Sequence, residues 1–125
     1  MRDRGSAAVD FVLVALPLLA LLLAVLQLAA YLHVRNVVVA GAAEGARQAA
    51  AADRSTRDGG PVAEQLLARG VSARVAAGIR CRAAEEGGAV VVVAVRCRGA
   101  VPALLALTGP VLPIDVTAHA LKEGW

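Results

Sequence analysis

The first 32 residues read MRDRGSAAVDFVLVALPLLALLLAVLQLAAYL and contain one long apolar run. Between Phe11 and Leu32 only Pro17 and Gln27 interrupt the apolar character. At 1.5 Å per residue, a helix of this length spans roughly 33 Å, enough to cross the hydrocarbon core of a bilayer. We therefore predict a transmembrane helix over residues 6–34, with a kink or loosened hydrogen bonding at Pro17.

A cleaved secretory signal is the alternative interpretation of this segment, since Arg2 and Arg4 give it a basic start. The apolar run exceeds the 7–15 residues or so of a signal peptide, and no clear A-x-A site comes after it. Arginines flank the run on both sides, so the positive-inside rule hardly decides its orientation.

Chain length limits the part after the helix to one small domain. The 125 residues are 58% hydrophobic but only 2% aromatic, so a light core of Val, Leu and Ala is expected. The net charge of +3 comes from scattered arginines without interleaved aromatic residues, which gives no sign of a nucleic-acid surface.

The helix is expected to continue outside the membrane over residues 35–54, because the Ala-rich sequence there lacks proline. Glu44 is spaced to reach Arg47 and Gln48 on one helix face. Gly41 and Gly45 form a GxxxG pair, which lets another helix approach closely. A biased Ala and Gly composition would explain the same pair without any packing role.

Residues 61–125 predict a small α+β domain. Pro61 suits the first turn of a short helix, PVAEQLLAR, and Gly70 suits its C-terminal cap. The period then changes to two, which is typical of strands. Predicted strands lie in VSARVAA (71–77), IRCRA (79–83), AVVVVAVRCR (89–98) and PIDVTAHAL (113–121). EEGG (85–88) predicts a turn, and VPALLALTGP (101–110) a loop with a short helical or apolar piece. The predicted fold is α+β: a long N-terminal transmembrane helix that continues outside the membrane, a short helix and three to four antiparallel strands.

The two cysteines, Cys81 and Cys97, each lie between two arginines. Strand alternation puts both sulfurs on the apolar face and the arginines on the opposite face. A disulfide between them would close a 17-residue loop, worth about 3 kcal/mol. A simple hairpin centred on EEGG would instead place Cys81 opposite a residue near Val90, so the disulfide needs a wider loop.

Other chemistry finds little support in the sequence. Arginine neighbours would lower a thiol pKa, but the CxxC motif of thiol oxidoreductases is missing. A metal site would have to recruit His33 and His119, which lie at the expected membrane edge and on a polar strand face. With no nucleophile–base pair, paired carboxylates or phosphate-binding glycine loop, we expect no enzyme activity, cofactor or metal.

Asp10 is the unexpected residue, because a carboxylate at the edge of a membrane helix is costly. It comes after Gly5, Ser6 and three small or apolar residues, and Phe11 is next. The simplest explanation is that Asp10 caps the helix N-terminus, where a negative charge is favourable.

The opening RGSAAVDFVLVALPLLALLL resembles the start of the TadE-like family of pseudopilins from tight-adherence (Tad) pilus systems, with a type III prepilin-like leader. YLHVRNVVVAGAAEGARQAA is similar to the next block of that family, while the C-terminal valine strand, the Pro102 loop and the last strand fit less specifically. Asp10 stands where the family usually has Glu, one methylene longer.

The resemblance implies a leader, residues 1–5, removed between Gly5 and Ser6 by a prepilin peptidase on the cytoplasmic side. It implies other pilins or pseudopilins, the pilus assembly platform and membrane lipid as partners, and an extracytoplasmic C-terminal domain. The new amine of Ser6 and the carboxylate of Asp10 would compensate each other in an assembled helix bundle, with Asp10 and Phe11 setting the register.

The expected function is thus that of a minor pilin or pseudopilin, a single-pass protein of the cell membrane. One alternative is an uncleaved, membrane-anchored binding module, which keeps its N-terminal methionine. Another is an exported thiol oxidoreductase that uses Cys81 and Cys97.

Overall fold

A computed structural model describes residues 2–102 and 111–123 of the chain. Its first element is a single helix, α1, which extends over Arg2–Ala50 and is continuous through Pro17. Its N-terminal half is apolar around the whole circumference, and nearly every side chain from residue 5 to residue 30 is exposed. The helix is long and apolar enough to cross a membrane, with a mean hydropathy of 2.8 in its most apolar window, none of which is buried by the rest of the domain. This property agrees with the predicted single-pass anchor.

The C-terminal half of α1 is amphipathic and forms one wall of the core. Its buried side chains recur every three or four residues, which places them on one face of the helix. They are Val34, Val38, Ala42, Ala46, Ala49 and Ala50. All are small or β-branched, so the elements that pack on this face approach the α1 backbone closely.

The helix ends at Ala50, four residues before the predicted end at Arg54. The carbonyl of Ala50 accepts a hydrogen bond of 2.7 Å from the backbone amide of Glu123, far away in sequence. Ala51 and Arg54 then form three-residue turns instead of continuing the helical ladder. The sequence favours helix beyond Ala50. In the structure α1 stops where Glu123 binds its last carbonyl group.

A short 3₁₀ helix, Thr56–Asp58, leads into the second α-helix, α2, which is Gly59–Gly70. Ser55 and Asp58 form a reciprocal capping box at the 3₁₀ helix. The predicted cap at Gly70 is wrong, because Gly70 is the last residue of α2 and Val71 caps it with an extended backbone. Gly70 is required for packing, since a Cβ there would lie 2.6 Å from Cγ1 of Val37.

The predicted strand in VSARVAA is also wrong. Residues Ala73–Ala77 form a short helix, α3, capped by the Ser72 hydroxyl, which accepts a hydrogen bond from the Val75 amide. A run this short has no reliable period, and three alanines favour helix once a serine cap is present. Within residues 2–102 and 111–123 the sheet therefore has three strands, the lower of the predicted numbers.

The sheet has the order β1–β2–β3, all antiparallel: β1 is Ile79–Glu86, β2 is Val92–Pro102 and β3 is Val111–Leu121. Glu85 and Glu86 belong to β1, so EEGG is not the centre of the hairpin. The connection runs from Gly87 to Val91 and begins with Gly87 at a φ of 109°, a left-handed conformation that favours glycine. The predicted loop at 101–110 begins inside β2, and its residues 103–110 lie outside the described residues.

One face of the sheet packs on α1 and α2 and completes the core. Its inward side chains include Ile79, Val93, Val95, Val101, Ile114 and Val116, together with both cysteines. The opposite face is exposed and carries the arginines that flank the cysteines. This two-layer α+β arrangement confirms the predicted fold class.

Candidate functional site

The predicted processing site, Gly5 and Ser6, lies in the first turns of α1 and is exposed. A Cβ added to Gly5 would meet nothing within 4 Å. The site is therefore accessible, although a peptidase that binds an extended substrate would first have to unwind the helix end. Glycine lowers that cost, because it destabilises a helix interior by roughly 0.5–1 kcal/mol relative to alanine.

Asp10 lies well inside α1, eight residues after its first residue, so the capping explanation is wrong for this structure. Its side chain is exposed, and so are the large apolar side chains beside it, including Phe11 at 72% exposure. Residues 6 and 10 are one helical turn apart and share a helix face. In the described part of the chain this surface makes no contact with the folded domain, so its charge is available to another molecule.

Gly41 and Gly45 form the contact between α1 and α2. A Cβ on Gly41 would lie 3.2 Å from the carbonyl oxygen of Ala63, and one on Gly45 would lie 2.5 Å from that of Gly59. The two helices thus approach through backbone atoms, in antiparallel directions. The helix that the GxxxG pair admits is α2 of the same chain.

The exposed side of this helical contact carries the polar triad that the sequence predicted. Glu44 accepts hydrogen bonds from Arg47 and, at 2.9 Å, from Gln48. The Gln48 hydrogen bond, followed by the charge of Arg47, lowers the pKa of the Glu44 carboxyl. The triad stabilises the C-terminal part of α1 at neutral pH.

Cys81 and Cys97 are directly opposite each other in the β1–β2 register and are joined by a disulfide, with 4.1 Å between their Cα atoms. The wide hairpin connection, not a tight turn at EEGG, brings them together. Both residues are buried, Cys97 completely. Reactive thiols of oxidoreductases are partly exposed, so the burial favours a structural bridge.

Glu64 on α2 supports this bridge, and the sequence analysis did not identify it. Its carboxylate accepts a hydrogen bond of 3.0 Å from the backbone amide of Cys81, on the free edge of β1. An edge amide would otherwise lack a partner in the sheet. No sequence signal marks this contact, because it depends on how α2 lies along β1.

The four arginines around the cysteines form a grid on the outer face of the sheet. Arg80 is opposite Arg98 and Arg82 is opposite Arg96, so like charges face each other across the strands. Asp115 on β3 binds Arg96 through two hydrogen bonds, of 2.9 and 2.6 Å, and lies 3.7 Å from Arg98. The hydrogen bond from Arg96 lowers the pKa of the Asp115 carboxyl. The four side chains line a depression of about 290 Å³.

The opposite end of the sheet has its own polar cluster, which the sequence did not reveal. Lys122 donates hydrogen bonds to Glu85 and, at 2.8 Å, to the Thr56 hydroxyl, and Thr56 donates to Glu85 at 2.6 Å. The hydrogen bond from Lys122, then that from Thr56, lowers the pKa of the Glu85 carboxyl. This cluster fastens the end of β3 to the 3₁₀ helix and β1.

The two histidines lie at different ends of the domain. Nε2 of His33 is 3.2 Å from the carbonyl oxygen of Gly70, at the end of α2. Nε2 of His119 is 3.4 Å from a carboxylate oxygen of Glu86. Neither histidine is near the cysteines, which are joined to each other.

Comparison with known proteins relates this chain to one family. Residues 5–47 match the family model described as TadE-like protein. No curated protein and no solved structure matches the chain. The matched segment begins at Gly5 and contains Asp10, Gly41 and Gly45, and it ends just before α1 does. The N-terminal helix of this chain is therefore similar to the TadE-like family over most of its length.

Proposed function

We propose that this protein is a minor pilin or pseudopilin in Tad-type pilus biogenesis, which a prepilin peptidase processes after Gly5. The observation that supports the proposal is that the TadE-like match overlaps the exposed apolar part of α1. The TadE-like match covers residues 5–47, and nearly every side chain of α1 from residue 5 to residue 26 is exposed. The N-terminal half of that segment is thus free for partners in a membrane.

Cleavage changes the electrostatics of the helix end. Loss of residues 1–5 removes Arg2, Asp3 and Arg4, so 13 basic residues become 11, 10 acidic residues become 9, and the net charge falls from +3 to +2. It also creates an α-amine on Ser6, which carries a positive charge at neutral pH or close to it.

The Asp10 carboxylate lies one helical turn from that amine, either in the same subunit or next to the amine of a neighbour. Both groups would be at low dielectric in a bundle of such helices, where neither is stable alone. Pairing therefore favours one axial register between subunits, and Phe11 packs beside the pair.

The folded domain has a separate role in this proposal. The disulfide, the light aliphatic core and the C-terminal half of α1 make one rigid unit outside the membrane, with the N-terminus in the cytoplasm and the domain on the extracytoplasmic side. An extracytoplasmic location agrees with the disulfide, which persists in oxidising compartments.

The N-terminal mass tests the proposal. Protein recovered from its native membrane should begin at Ser6, and Gly5→Leu should accumulate as the full-length chain beginning at Met1, because the added side chain obstructs the cleavage site. Gly88→Leu is the matched control in the β1–β2 connection, where a Cβ meets nothing within 4 Å, and it should be processed normally. A wild-type protein that keeps Met1 would instead support an uncleaved, membrane-anchored binding module.

A further inference from the structure

The charges of the folded domain are distributed unevenly along the axis of α1. At the end next to the apolar half of α1, the exposed charged side chains are mainly arginines: Arg35, Arg69, Arg74, Arg80 and Arg98, which we call the basic rim. At the far end acidic and basic residues are mixed: Asp53, Asp58, Glu85, Glu86 and Glu123 lie there with Arg54, Arg57 and Lys122. A chain with a net charge of only +3 thus presents a strongly basic end.

Two hydrogen bonds fix where the rim lies. The Tyr31 hydroxyl donates to the carbonyl oxygen of Pro113 at 3.0 Å, and His33 contacts the carbonyl oxygen of Gly70 at 3.2 Å. The start of β3 and the end of α2 therefore lie level with the end of the apolar run. Tyrosine is enriched at the membrane–water interface, which suits that level.

The rim arginines lie close to the level at which the apolar run of α1 ends. Arg69 precedes Gly70, and Arg74 is on α3, which connects Gly70 to the start of β1. Arg98 pairs with Asp115, two residues beyond Pro113, and Arg80 is opposite Arg98. Two strand positions correspond to about 7 Å, comparable to the headgroup layer on one side of a bilayer.

The rim is largely uncompensated. Asp115 is bound to Arg96 and lies 3.7 Å from Arg98. Within the described residues, the side chains of Arg35, Arg69, Arg74 and Arg80 have no hydrogen-bond or ion-pair partner. Like charges opposite each other in a sheet destabilise it, so the Arg80–Arg98 pair is costly for the isolated domain. A ligand that supplies several negative charges at this level removes that cost.

We infer that the basic rim binds the phosphate headgroups of anionic phospholipids in the leaflet that the domain faces. The occupant is a lipid surface because the rim is continuous with the apolar helix and spreads over α1, α2, α3 and the sheet at one level. Arginine stems can lie along apolar surface while their guanidinium groups reach the headgroups. The inference rests on the membrane anchoring in the proposed function, but not on cleavage or pilus assembly.

The experiment measures which of two phospholipids is enriched next to the full-length protein. The chain is reconstituted in vesicles of phosphatidylcholine and phosphatidylglycerol, and spin-labelled forms of both lipids are compared by electron paramagnetic resonance. The motionally restricted fraction should favour phosphatidylglycerol, and high salt should abolish the preference, because such attraction acts within a Debye length.

A matched pair of variants assigns the preference to the rim. Arg74→Gln with Arg80→Gln should remove most of it, because each arginine near an anionic surface contributes about 1 kcal/mol, a factor of roughly five. Arg54→Gln with Arg57→Gln removes the same charge from exposed positions at the far end and should change it little. Arg74→Lys with Arg80→Lys should keep most of the preference and shows that the sites tolerate substitution.

Three results would overturn the inference: no preference in the wild-type protein, an equal loss in both glutamine variants, or binding of an acidic protein at the rim without any lipid preference. Membrane insertion is checked separately, by resistance to alkaline carbonate extraction. A chain that is extracted refutes the anchoring as well. A chain that stays inserted without lipid preference refutes the rim alone.

Discussion

The hydroxyl of Tyr31, near the end of the apolar run, donates a hydrogen bond to the carbonyl oxygen of Pro113 at the start of β3, 3.0 Å away. This hydrogen bond joins α1 to the edge strand β3, 82 residues later in the chain. It sets the level of the sheet relative to the apolar helix, together with the contact between His33 and the end of α2.

Tyr31→Phe should destabilise the domain by up to about 1 kcal/mol, because it removes one hydrogen bond and keeps the ring. The free energy of unfolding is measured by pulse proteolysis in urea on the detergent-solubilised full chain. Thr117→Val, on the outer face of β3, is a control that should have a smaller effect. An unchanged unfolding midpoint in Tyr31→Phe would show that the contact adds nothing to stability.

Gly45→Ala should destabilise the domain by about 1–2 kcal/mol. The added methyl would lie 2.5 Å from the Gly59 carbonyl oxygen, and backbone atoms cannot move aside cheaply. This cost exceeds the roughly 0.5–1 kcal/mol that alanine contributes to a helix interior. The same unfolding assay applies, with Gly88→Ala as the control, since a Cβ there meets nothing within 4 Å. Equal stability of the two variants would contradict the close approach of α1 and α2.

Loss of the disulfide should be the most costly of these changes. Replacing Cys81 and Cys97 together by alanine should lower the free energy of unfolding by about 3 kcal/mol, since a 16-residue separation is no longer constrained in the unfolded chain. Thiol labelling gives an independent measurement: the unfolded protein should react with a maleimide only after reduction. Labelling without reductant would show that the bridge is not formed.

Acid should weaken the contact at the far end of the sheet. The hydrogen bond from Lys122 lowers the pKa of Glu85, so the folded state binds this proton less readily than the unfolded state. The resulting stability is present above the unfolded pKa of about 4.3 and is lost as pH falls through the lower folded pKa.

Lys122→Met tests this contribution. The variant should lose less stability between neutral and acidic pH than the wild-type protein, with Arg57→Met as a control for charge alone. Parallel pH profiles for Lys122→Met and the wild type would mean that the ion pair does not contribute.

Asp10→Asn should leave the chain inserted and processed but weaken its assembly with other pilins by about tenfold or more, because the Ser6 amine would lose its counter-charge at low dielectric. Recovery of complexes by native electrophoresis measures assembly. Asp10→Glu keeps the charge, adds a methylene and should assemble normally. If Asp10→Asn assembled as well as the wild type, the Asp10 carboxylate would not set the register between subunits.

Where the sequence carries strong periodic signals, the predictions agree with the structure. The apolar run indicated α1, and its Ala-rich continuation indicated the extension, because both depend on local composition. The alternation around Cys81 and Cys97 correctly placed the sulfurs inside and the arginines outside. Short segments were harder: VSARVAA fits a strand or a helix, and only the Ser72 cap and the packing of α3 decide between them.

The sequence by itself determined the presence of the long N-terminal helix, its apolar surface, the Gly5–Asp10 spacing and the strand character of the C-terminal half, since each depends only on neighbouring residues. Only the tertiary structure decided that α1 ends at Ala50, that α2 fills the Gly41 and Gly45 contact, and that a wide hairpin connection pairs Cys81 with Cys97. The basic rim likewise depends on contacts between residues distant in sequence. Such contacts depend on shape and register across the core, and no local pattern of residue types encodes them.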